Sequence, residues 1–141
     1  MDQVPGIEWE FLAENTPTLH ADQVHGYNAL LVLSSTVDTT ILDGNDDLAI
    51  IARFGVGYDN VNVEACSTNG ILLTITPDGV RRPVAASIMT FILALSYKLT
   101  IKDKLIRQGR WAEKLDHMGS GVTGRTLGVI GLGNIGREVF T

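Results

Sequence analysis

Thr126-Leu127-Gly128-Val129-Ile130-Gly131-Leu132-Gly133-Asn134-Ile135-Gly136 reads as an apolar strand that runs through three spaced glycines into a helix. In the Gly-x-Gly-x-x-Gly pattern, Gly131 permits a sharp exit from the strand and Gly133 leaves room for an approaching phosphate. Gly136 lets the new helix pack against the strand. A helix that opens there turns unbonded N–H groups and the positive end of its dipole toward an anion. Glycine corners also occur as plain strand–helix bends. The placement after an apolar strand and before a helix favours a dinucleotide, with Gly131, Gly133 and Gly136 at its phosphates. The acidic residue that reads the ribose is expected about 20 residues further on, past Thr141, so NAD and NADP both stay open. No glycine precedes Lys-Ser or Lys-Thr, which excludes the ATP-type phosphate loop.

Upstream of that turn, short apolar runs alternate with helix-like stretches. Strands are expected at Ile7–Leu12, Ala29–Leu33, Leu48–Ala52 and Ile71–Ile75, in addition to Thr126–Ile130. The continuous runs suit strands covered on both faces of a sheet. Pro17–Val24 reads as a weak helix, Thr39–Leu42 as a helical turn, and Val63–Thr68 as a helix closed by Asn69-Gly70. Thr76-Pro77-Asp78-Gly79 reads as a turn. A long helix is expected to begin with Pro83 in its first turn and to run through Leu99, toward Arg107. It is apolar around most of its circumference, so it should be buried between layers. Gln108–Gly124 is polar and rich in glycine, as a connection would be. Strands alternating with helices predict a parallel sheet flanked by helices, with a boundary near residues 100–124.

With 141 residues, 45% hydrophobic and 19% charged, the chain has enough apolar material for a buried core. A net charge of −5 argues against nucleic acid or an anionic membrane surface as partner. Cys66 is the one cysteine, which excludes an internal disulfide and a zinc site built on cysteine pairs. It reads as core filler. The beginning of the chain has no secretory pattern. Val84–Leu95, the most apolar stretch, is shorter than the roughly 20 residues that cross a bilayer. The cytoplasm is the expected compartment, and no membrane association is expected.

Arg53-Phe54-Gly55-Val56-Gly57-Tyr58-Asp59-Asn60-Val61 follows the run Leu48–Ala52. In an open parallel sheet, ligands bind beyond the carboxyl ends of the strands. Gly55 and Gly57 would expose N–H groups there, and Arg53 would offer a fixed cationic fork, together a receptor for a small carboxylate. The same residues also suit a glycine turn whose arginine pairs with a nearby acid.

Taken with Thr76-Pro77-Asp78-Gly79, Gly124-Arg125-Thr126-Leu127-Gly128 and Gly131–Arg137, that segment resembles the D-isomer-specific 2-hydroxyacid dehydrogenases, in particular phosphoglycerate dehydrogenase-like members. The likeness runs from about Tyr27 to Thr141. It implies a flavodoxin-like parallel-sheet substrate domain over residues 1–100, followed by the first strand–turn–helix of a Rossmann nucleotide-binding domain over residues 101–141. It also implies an active site in a cleft between the two. Backbone N–H groups at Val56 and Gly57 would hold the substrate carboxylate, with Arg53 beside it. Backbone at Asn134 and Ile135 would meet the pyrophosphate. The implied partners are NAD, or NADP, and a small 2-hydroxy or 2-keto acid, in a homodimer when the enzyme is full length.

The implied chemistry is hydride exchange between nicotinamide and a D-2-hydroxy acid, with a histidine, an acid and an arginine handling the proton and the carbonyl. Those three lie late in the family's chain. None maps onto these residues, and His20, His25 and His117 do not match the catalytic histidine. Leu33 stands where phosphoglycerate-specific relatives carry an arginine, and Ala86 where a glutamate is common. The family's first strand is expected to precede Pro5–Leu12, and the nucleotide domain appears as a single strand–turn–helix, so the chain by itself is expected to be inactive. The alternatives are a non-catalytic remnant or an NADH-sensing binding module of the same fold.

Overall fold

The computed structural model describes residues 4–141. These residues gather into two compact units, one ending at Thr76 and one spanning Pro77–Thr141.

The first unit is built on a three-stranded parallel sheet in the order β1 (Ala29–Val32), β2 (Ile50–Arg53), β3 (Leu72–Ile75). The register aligns Leu30 with Ile51 and Ile51 with Leu73, so these three share one face. Helices α1 (Ala21–Val24), α2 (Thr39–Leu42) and α3 (Val63–Thr68) supply Val24, Ile41, Leu42, Ala65 and Cys66 to the core that also holds Leu30, Val32 and Ile51. Asp38 and Asn62 cap α2 and α3 by accepting from the Thr40 and Ala65 amides, and these caps hold helices too short to persist unaided. Gly70 takes a φ of +69° just past α3, as Asn69-Gly70 led one to expect. Cys66 is buried, and that burial pushes its thiol pKa up. The reading as core filler holds.

Several expectations need correction here. β1 alternates exposed and buried residues instead of being covered on both faces, and Leu31 and Leu72 stand exposed. Within this unit the helices cover one face of the sheet. Residues 7–12 join no ladder. Trp9 and Phe11 lie edge to face there, at 5.5 Å between ring centroids, and the Tyr27 hydroxyl donates to Glu10 at 2.5 Å. The weak helix expected from Pro17 begins only at Ala21, because Thr18 is drawn into a parallel bridge with Thr36.

The second unit is helical: α4 (Pro77–Ser96), α5 (Leu99–Arg107), a 3-10 turn at Trp111–Leu115 and α6 (Asn134–Glu138). α4 packs with α5 and α6. It begins at Pro77, not near Pro83, so the expected turn at Thr76–Gly79 is its first turn. Pro77 takes the opening position, where a missing N–H costs nothing, and Pro83 sits inside the helix. The bond that Pro83 cannot make would have gone to the Gly79 carbonyl, which is exposed and can face water. The expected continuous helix breaks at Lys98, which takes φ +53°, while Ser120 N–H binds the freed Ser96 carbonyl at 2.8 Å. Nor is α4 buried between layers: Ala85 is its one buried residue, and Phe91 and Leu95 are exposed. By length and composition alone α4 could cross a membrane. Residues 126–130 form no ladder, in place of the expected strand, since no other segment of this unit is extended alongside them.

Candidate functional site

Two bends present main-chain amides. The first follows β2. Phe54 N–H continues the strand pattern by donating to the Val32 carbonyl at 2.8 Å. Gly55 is then locked to the segment after β3: its N–H donates to Thr76 Oγ1 at 2.8 Å, and its carbonyl accepts from Thr76 N–H at 2.8 Å. Five residues on, Asn60 pins the far side of the bend, with Nδ2 donating to the Ser35 carbonyl at 2.7 Å and its own carbonyl accepting from Val37 N–H. Between these anchors Val56 and Gly57 are exposed, and their N–H groups have no hydrogen-bond partner among the described residues. They lie beyond the carboxyl end of β2, where an open parallel sheet receives ligands.

The structure thus brings Val56 and Gly57 together as free donors and removes Gly55, whose N–H was expected to be offered, from that set. Thr76 is the residue that the sequence reading missed. The β2–β3 register carried the signal, because Arg53 pairs with Ile75 and the next residues on each strand must be neighbours. Arg53 is half-buried, and its guanidinium donates to the Phe54 carbonyl and lies over Gly55. A β-carbon at Gly55 would collide with that guanidinium, and the φ of +143° also requires glycine. Arg53 forms no ion pair with an acid among the described residues, and its Nε is buried without a partner. A turn with an acid-paired arginine is therefore not what forms. Asp59 lies close by, its Oδ2 3.7 Å from where a β-carbon on Gly57 would stand.

The second bend is the glycine turn. Gly131 takes φ +91°, Gly133 caps α6 without a side chain, and Gly133 carbonyl accepts from Arg137 N–H at 3.0 Å. The N–H groups of Asn134, Ile135 and Gly136 have no partner among the described residues, as expected of a first helical turn. A β-carbon on Gly136 would strike the Gly131 carbonyl, so the turn closes only with glycine there. At Gly133 the space is open, with no atom within 4 Å of such a carbon. Arg137 Nε donates to the Leu132 carbonyl at 3.1 Å and braces the loop.

His20 and His25 are exposed beside α1, and His117 follows the 3-10 turn. No histidine forms an ion pair with a carboxylate among the described residues. Arg110 holds the Glu113 carboxyl below its usual range, through exposed contacts at 2.5 and 2.6 Å. Among the described residues no three His, Cys, Asp or Glu side chains gather as a metal site.

The model of the D-isomer specific 2-hydroxyacid dehydrogenase catalytic domain matches residues 3–119. A glyoxylate reductase from Thermococcus onnurineus is 32% identical over 138 residues, which is 93% of this chain and 41% of the relative. A D-3-phosphoglycerate dehydrogenase from Archaeoglobus fulgidus is 36% identical over 118 residues, 83% of this chain and 22% of its own. Among solved structures, an NADPH-dependent glyoxylate/hydroxypyruvate reductase from Sinorhizobium meliloti, in complex with NADP and malonate, superimposes with a TM-score of 0.71. It is 31% identical and covers 86% of this chain and 38% of that one. The chain therefore spans about two fifths or less of the length of these relatives.

Proposed function

The chain belongs to the D-isomer specific 2-hydroxyacid dehydrogenase family, and on that premise we propose that it is the N-terminal part of an oxidoreductase acting on a small D-2-hydroxy acid or its 2-keto partner. The observation that carries this reading is the pair of free amides at Val56 and Gly57, held beyond β2 by Thr76 on one side and Asn60 on the other. Two neighbouring free N–H donors, with the Arg53 guanidinium over adjacent Gly55, suit one carboxylate, because charge-assisted bonds to an oxyanion are the stronger kind. We assign substrate binding to Arg53, Val56 and Gly57.

The turn at Gly131, Gly133, Asn134, Ile135 and Gly136 fits a dinucleotide pyrophosphate: three amides are free and the space beside Gly133 is open. When bound, NAD or NADP supplies the nicotinamide that gives or takes the hydride. This chain's own residues bind and orient. None is placed to move the hydroxyl proton, so we assign no catalytic residue within it and propose that the 141-residue chain alone does not turn over. We assign residues 1–100 to substrate binding and 101–141 to the start of the nucleotide domain.

The relatives' names include glyoxylate, hydroxypyruvate and phosphoglycerate enzymes; Leu33, in place of an arginine, supports an unphosphorylated acid. We read α4 as a helix covered within the whole enzyme rather than a membrane span. The family match runs through it, and its first turns carry Asp78 paired with Arg81, and Arg81 and Arg82 paired with Glu138. A homodimer is supported by an apolar groove of about 300 Å³ between Leu105, Ile106, Trp111, Leu115 and Met118, rimmed by Lys102 and Lys114. We propose the cytoplasm as its location.

The test is the rate of NADH or NADPH oxidation with glyoxylate and hydroxypyruvate by a complete enzyme carrying this segment. Arg53→Gln should raise KM for the keto acid about tenfold, as loss of one charged hydrogen bond does, and leave KM for the dinucleotide unchanged. No activity on either acid, or an unchanged keto-acid KM in the variant, would refute the assignment.

A further inference from the structure

The place of α6 calls for a cause. Five residues do not hold a helix in water by themselves. No residue of α6 is buried, and residues 126–130 enter no ladder that would fix the turn from the other side. Apolar packing on α4 leaves Ile135 only half-buried, and strand pairing is absent among the described residues, so neither fixes the turn fully. A polar anchor is present. The Glu138 carboxylate sits between two neighbouring arginines of α4, with Oε2 2.9 Å from Arg81 Nε and Oε1 accepting from Arg82 Nε at 3.0 Å. The Arg81 contact is one of proximity, without the alignment of a hydrogen bond. Glu138's side chain is 19% exposed, against 81% for Arg82, so the shared charge is the sheltered member of the cluster. Arg81 is in turn held by Asp78, 3.5 Å away.

We propose that Glu138, gripped by Arg81 and Arg82, is the positioning residue that sets the glycine turn for dinucleotide binding, an inference that rests on the assignment of that turn to the pyrophosphate. The base of the grip is the 20-residue α4, the longest element of its unit. Beside it in the last turn of α6, Arg137 reaches back to the Leu132 carbonyl, just ahead of the helix. The Asn134, Ile135 and Gly136 amides lie between Leu132 and these two side chains. Holding donors in place before the ligand arrives lowers the ordering cost of binding. Loss of the grip is then felt by the dinucleotide and not by the keto acid.

The experiment is steady-state kinetics and dinucleotide fluorescence titration on a complete enzyme with Glu138→Gln, using NADH and NADPH as probes. The dinucleotide KM and dissociation constant should rise about fivefold, the range of a partly exposed ion pair, while the keto-acid KM stays put. High salt should bring the unaltered enzyme toward the variant, because it screens the pair. Reversing all three charges, with Glu138→Arg, Arg81→Glu and Arg82→Glu, should restore dinucleotide affinity. Should Glu138→Gln not fold, Arg82→Gln at the exposed arm gives the same split in milder form. An unchanged dinucleotide KM would overturn the proposal, as would both KM values and kcat worsening together. If the unaltered enzyme binds neither dinucleotide, the pyrophosphate assignment itself fails and the proposal with it; the unaltered enzyme separates that result from failure of the grip alone.

Discussion

At Gly55 three constraints meet in one residue: a φ of +143°, an N–H given to Thr76, and a guanidinium over the place a side chain would take. The residue is spent on holding the bend, and its neighbours Val56 and Gly57 do the presenting. Gly55→Ala should therefore cost about 1–3 kcal/mol of stability, from backbone strain with displacement of Arg53 added, as read by urea unfolding of the chain. A variant as stable as the parent would mean that Arg53 does not lie where it is described. The glycines and the arginine were legible in the sequence because their chemistry is local. Thr76 was not, because its role comes from lying beside Gly55 across 21 residues of chain. Spacing along the sequence is silent about that neighbour until the strand register is known.

For the elements, legibility followed pairing. β1, β2 and β3 were readable from apolar runs because their partners lie within the same unit, and α3 was readable from its Asn69-Gly70 end. Residues 126–130 carry an equally apolar run and form no strand, because a ladder needs a second strand beside it. The long helix was misread at both ends. Proline at position 83 suggested a start but is tolerated within the helix, and nothing in Tyr97-Lys98 announced a left-handed break. Amide hydrogen exchange on the 141-residue chain should accordingly show strong protection over residues 50–53 and exchange near the unprotected rate over residues 126–130. Comparable protection in the two segments would contradict the absence of a ladder.

Across the whole molecule, the buried apolar residues are very unevenly shared. All of the core side chains lie up to Ile71, apart from Ala85 and Leu105 in the second unit. The first unit has a core of its own, and the bend at Val56 and Gly57 is anchored to it through β2 and β3. The glycine turn leads into a short helix tied by charges. The two proposed anion sites thus differ in what holds them. Composition and charge argued against nucleic acid as partner, and the sequence left open which hydroxy acid suits the first bend and whether NAD or NADP suits the second. The direct test is a two-ligand titration of the isotope-labelled 141-residue chain, following backbone amide resonances. Glyoxylate should move Val56 and Gly57 and leave Gly55, already bonded to Thr76, nearly still; inorganic pyrophosphate should move Asn134, Ile135 and Gly136. Val56 and Gly57 staying fixed at glyoxylate concentrations well above the millimolar range, or Gly55 moving as far as they do, would contradict it.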